Sequence, residues 1–218
     1  MDDALMAAYE VEEKKPGFPG MLKLLLFRPY TFFKKTVARD EFPYLTFSAW
    51  LLGLAMALQL MDKTLLTPGG LITGRISSFV LLMLMSFAFM GLFYMIGGVL
   101  FHFYAYLADS RKDMKNSLAV TVYAWMPFVL AVFLTKIGLI IAFGGDYHTA
   151  PSEIPILNMI IYAVLGVSIL YGWFLAVFGA VVSLGCKKLR AILMLFVVPI
   201  LWFVFLAFLF NYLGFMNM

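Results

Sequence analysis

The chain has 218 residues, of which 64% are hydrophobic and only 13% charged, with a formal charge of +4. Together with a mean hydropathy of +0.96, this composition excludes an ordinary soluble domain and predicts an all-α polytopic membrane protein. One cysteine, Cys186, excludes an internal disulfide. With only two histidines beside it, there is no cluster of metal-ligand spacing, so no metal or other cofactor is expected.

Residues 1–15 mix Asp2, Asp3, Glu10, Glu12 and Glu13 with Lys14 and Lys15, and are expected to form a cytosolic tail without a cleavable signal. Pro16, Gly17, Pro19 and Gly20 then break the chain before an interfacial segment, residues 16–41. This segment is too short and interrupted to span, because Pro29 stops any continuous helix. Leu, Phe and Tyr alternate there with Lys23, Arg28, Lys34 and Lys35. Such an amphipathic stretch either lies over anionic headgroups or packs under the bundle as a collar.

Five transmembrane helices are expected in residues 42–215. The first, about 42–61, opens with Pro43 in its first turn and carries Ala49, Gly53 and Ala57 at four-residue spacing. Small residues so spaced let a second helix approach closely. The second, about 76–107, has Gly91, Gly97 and Gly98 as bending or close-approach points. The third, about 118–143, contains Pro127, which has no N–H for the carbonyl of Tyr123, and Lys136, an ammonium in an otherwise apolar run. In the fourth, about 156–185, Ser168, Gly172, Ala176 and Ala180 repeat the small face, which is expected to meet that of the first. The fifth, about 191–213, is broken by Pro199. Trp125, Trp173 and Trp202 lie within spans and are expected to fill the core.

Lys and Arg cluster before the first span, after the second (Arg111, Lys112, Lys115) and after the fourth (Lys187, Lys188, Arg190), whereas the alternate loops carry only Lys63 and Arg75. The positive-inside rule then predicts a cytosolic N-terminus and an outside C-terminus. These cations sit beside apolar runs, so lipid headgroups account for them and no nucleic acid is expected as a partner.

Two arrangements of the polar residues stand open. Lys136, His102, Gln59 and Asn158, with two broken helices, suit a cavity in a transporter or lipid-handling protein, Lys136 serving as an anion site. Alternatively Lys136 snorkels outward toward Asp62, Asp146 or Glu153. His102 and Asp109, two helical turns apart, share a face and suit either a proton relay or a headgroup-level aromatic belt. Ser/His/Asp, paired-carboxylate and phosphate-loop patterns are missing from the sequence, so an enzyme is not expected.

The phrases LFRPYTFFKKTVARDEFPYLTFSAWL, SLAVTVYAWMPFVL and WFLAVFGAVVSLGCKKLRAILMLFVVPILW resemble, in turn, the entry, the third span and the last two spans of the prokaryotic Yip-domain family. In the second phrase the family's Tyr-Ala-x-x-Pro is matched by Tyr123, Ala124 and Pro127. The resemblance covers about Leu26 to Phe210 and implies a five-helix protein of a prokaryotic cytoplasmic (inner) membrane that works in a complex. On this reading the chain is a membrane scaffold or accessory subunit. Its partners are membrane lipids and either a second copy of itself or another membrane protein.

Overall fold

The computed structural model describes residues 17–64, 75–110, 113–144 and 154–212; the expected tail, residues 1–15, lies outside them. Among these residues every regular element is a helix. The N-terminal segment forms α1 (Phe18–Phe27) and α2 (Pro29–Lys35), closed by a 3-10 turn at Val37–Arg39. The two helices part at Arg28, whose φ of −138° and ψ of 58° leave the helical region. Pro29 causes this, since it disfavours helical geometry in the residue before it and then starts the next helix.

The first long helix, α3 (Leu45–Thr64), starts later than expected. Tyr44 has a left-handed φ of 57°, so Pro43 lies outside the helix instead of in its first turn. Next come α4 (Arg75–Leu92), a π-turn at Phe93–Gly97 and α5 (Gly98–Leu107). The widened turn falls at the glycine pair expected to bend this helix, as π-bulges commonly do. The third span is split into α6 (Met114–Ala124) and α7 (Met126–Phe143). Helix α8 (Pro155–Ser183) is unbroken. The chain then forms α9 (Lys188–Ile192), a π-turn at Leu193–Val197 and α10 (Val198–Tyr212). Pro199 removes the N–H that the Leu195 carbonyl would otherwise accept, and the ladder widens just before it.

Three stretches, Val80–Leu107, Met114–Phe143 and Pro155–Ser183, are long and apolar enough to cross a bilayer, and Leu45–Leu60 is a shorter apolar helix. Helix α3 lies along α4, while α8 packs on α6, α7 and α2. The two small faces therefore meet other partners than each other. Ala49, Gly53 and Ala57 are buried, and Gly53 abuts Ser86 and Met90 of α4. Gly172, between buried Ser168 and Ala180 with Ala176 half-buried, abuts the Ala124 carbonyl at the break in the third span. The break turns that carbonyl toward α8, and only a residue without a Cβ lets the two backbones close up.

Met21, Leu25, Phe32, Phe33 and Val37 belong to the main core, whereas Lys23, Arg28, Lys34 and Lys35 are exposed. The N-terminal segment is thus a collar with its apolar side inserted into the bundle. Trp125 packs edge-to-face on Phe93 and Phe128, and Trp173 on Phe196. Trp202 departs from the expected core position, being 54% exposed.

Candidate functional site

Among the described residues, Asn116, Ser117, Thr121 and Tyr123 are all buried on one short helix, α6. Asp113 starts it: its side chain accepts the Asn116 N–H at 3.2 Å, satisfying one of the free donors of a first turn. The Asn116 amide donates to the Asp40 carboxylate at 2.6 Å. Asp40 reaches it from the left-handed position (φ 59°) that closes the collar. Ser117 Oγ and His102 Nδ1 share a hydrogen bond of 2.9 Å, and Thr121 donates to the Ser117 carbonyl. Two residues further, Tyr123 donates its O–H to the Pro43 carbonyl at 2.7 Å while its ring meets Phe32 edge-to-face at 5.1 Å. The start of the third span is therefore tied to the collar, to the second span and to the entry of the first. In a low-dielectric interior each such bond matters chiefly because leaving its partner unpaired would cost about 1–3 kcal/mol.

At the end of the second span lies a further polar group. Asp109, at a left-handed φ of 73°, pairs with Lys187 at 2.8 Å and stands 3.9 Å from Arg190. Next to Lys187 in the chain, Cys186 is buried, its Sγ 3.6 Å from the Ala105 carbonyl. Burial pushes its thiol up to about 11; a hydrogen bond with Ser110 works against this, and the Asp109 charge adds to it. A thiol so raised is a packing group, since the thiolate is the reactive form.

His102 is engaged by Ser117, and Asp109 by Lys187. His102 and Lys136 sit far apart: Ser117, the partner of His102, precedes Lys136 by 19 residues, roughly 28 Å along a helix. Lys136 is half-buried near the far end of α7 and has an interaction of its own. Asp146 and Glu153 lie outside the described residues, and Asp62 is described in backbone only. Gln59 and Asn158 are half-buried near the end of α3 and the start of α8. Pro127 stands in the first turn of α7, and the break falls two residues earlier at Trp125 (φ −87°, ψ −1°). Among the described residues no three His, Cys, Asp or Glu side chains gather as metal ligands.

Sequence reasoning missed Asp40, Asn116 and Ser117. The available signal was the Asp113-to-Asn116 spacing of a capped first turn, with two polar residues continuing into an apolar run.

An all-helical chain of this hydropathy, with helices of bilayer length tied together by internal hydrogen bonds, is an integral membrane protein. The family model of the Yip1 domain matches residues 23–210. That match takes in most of the collar and nearly all of the helical bundle, and the chain belongs to the Yip1-domain family. No curated protein and no solved structure matches it.

Proposed function

We propose that this protein is a membrane scaffold or accessory subunit, docking through its last helix onto another membrane protein or a second copy of itself in a prokaryotic cytoplasmic membrane. The supporting observation is the exposure of α10 at its described side chains. Its packing is chiefly on the π-turn before it, and Leu201, Trp202, Val204 and Phe205 are all more than half exposed. A recess of about 370 Å³ lies among Val198, Leu201, Trp202 and Phe205. Lipid tails are as apolar as leucine, so exposure alone drives nothing; the shallow, open recess beside Trp202 is a place for a second helix to pack, and packing is what helix association in membranes depends on. Meanwhile the buried polar groups of α6 are spent on holding helices together.

Affinity purification in mild detergent tests this reading. The wild-type chain is expected to elute as a larger assembly, with itself or with a stoichiometric partner, and Trp202→Ala to elute as a single folded chain. A wild-type protein that runs as a single chain without a partner would refute it.

We also infer a cytosolic N-terminus and an outside C-terminus from the basic loops. Cys186 cannot report on this: with its thiol near 11, it stays essentially unlabelled by maleimide at pH 7–8 on either side, reactivity rising only as pH approaches that value. In a Cys186→Ala background, a cysteine at Thr149 is expected to label from outside intact cells. One at Leu189, 71% exposed, is expected to label only after permeabilisation. The reverse pattern would invert the topology.

A further inference from the structure

On the outer side of the collar, where α2 and α9 flank α8, lies a groove of about 620 Å³. Its floor is one stripe of α8, running from Phe174 through Phe178 to Val182, residues at the i, i+4, i+8 spacing of a single helical face. This floor is roughly 12 Å long. Phe174 and Phe178 stack along it, their centroids 5.7 Å apart with 25° between planes. Tyr30 and Lys34 form one wall; Lys188 and Ile192 form the other.

The two cations stand at the same end. Ser183 donates to the Phe33 carbonyl at 3.3 Å, which sets Lys34 beside the end of α8. Lys188 begins α9 five residues after Ser183. Lys34 extends over the Tyr30 ring, 5.4 Å from its centroid. Among the described residues neither lysine has a carboxylate partner, and the nearby Asp109 is already taken by Lys187 and Arg190.

We propose that this groove is a binding site for an anionic phospholipid, its phosphate held between Lys34 and Lys188 and one acyl chain laid on the Phe174–Val182 stripe. Charge and shape both select that occupant. Two ammonium groups at one end of an apolar trough match a headgroup with net negative charge followed by a hydrocarbon tail. A zwitterionic headgroup would bring its own ammonium toward the same lysines. The volume falls within the range of small-molecule sites. Held there, the lipid touches the collar, the fourth span and the start of the fifth at once, and so fastens three elements together.

Native mass spectrometry of the full chain tests the site after incubation with mixed micelles of detergent and either phosphatidylglycerol or phosphatidylcholine. Retention of phosphatidylglycerol at least about tenfold above phosphatidylcholine is expected. Lys34→Gln/Lys188→Gln should bring it down to the phosphatidylcholine level, with Lys34→Arg/Lys188→Arg restoring it. Val181→Trp, which fills the trough while leaving both lysines in the chain, should lower retention of both lipids. Lys23→Gln/Arg28→Gln removes the same charge from exposed collar positions outside the groove and should leave retention unchanged. Equal retention of the two lipids would overturn the proposal. So would an equal loss in the Lys23/Arg28 pair, which would mean diffuse attraction, or indifference to Val181→Trp, which would mean a phosphate contact without a seated chain.

Discussion

Gly53→Leu is expected to force the first two long helices apart and to lower the melting temperature in detergent sharply. A Cβ at this position would overlap the Ser86 carbonyl oxygen and come within 2.8 Å of the Met90 nitrogen. Both are backbone atoms, so no side chain can swing away and the whole of α4 must move. Overpacking a rigid contact typically costs 1–3 kcal/mol, and a backbone-to-backbone clash belongs at or above the top of that range. Gly91→Leu is the contrasting change, since nothing lies within 4 Å of a Cβ there. With no clash, replacing a helical glycine by leucine should be neutral or stabilise by up to about 1 kcal/mol. If Gly53→Leu melted no lower than Gly91→Leu, the close approach of α3 and α4 would be refuted.

Phe33→Ala should show that the collar is structural. Phe33 is fully buried, its ring seated on α8 where a Cβ at Gly179 would come within 2.9 Å of it, and it packs edge-to-face on Phe32. Emptying such a site costs about 3–5 kcal/mol, which for a chain of this size lowers melting by roughly 10 °C. Phe27→Ala removes the same side chain six residues earlier on the same collar, where it is 77% exposed, and is expected to change stability by no more than about 0.5 kcal/mol. Differential scanning in a single detergent compares the two. Equal melting would mean that the collar only rests against the bundle.

The features legible in the sequence are those written by local chemistry. Pro29 parts α1 from α2, Pro127 follows the break in the third span, and the Gly97–Gly98 and Pro199 positions adjoin π-turns; each acts within one turn of itself. The partners of the small faces were not legible. Four-residue spacing shows that something approaches Gly53 and Gly172 but carries nothing about which helix does so. Asn116 and Asp40 are 76 positions apart, and Tyr123 and Pro43 are 80 apart. Their contacts arise only once the collar has folded under the bundle. The Lys187 partner of Asp109 was illegible for a different reason. Helical periodicity was extended past Leu107, where α5 ends, and the left-handed Asp109 turns its carboxylate to Lys187 instead.

The collar also sets an order of events while the chain is being made. Tyr171 donates to the Leu26 carbonyl at 2.6 Å across 145 positions, and Ser183 to that of Phe33 across 150. Neither bond can form until α8 has left the ribosome. At about 5–20 residues per second these two bonds must wait roughly 7–30 s after their collar partners are made. Until α6 emerges to offer Asn116 and Tyr123, the collar's apolar faces have the bilayer surface to rest on, and the basic residues along the outer side, Lys23, Arg28, Lys34 and Lys35, are those that would keep them there.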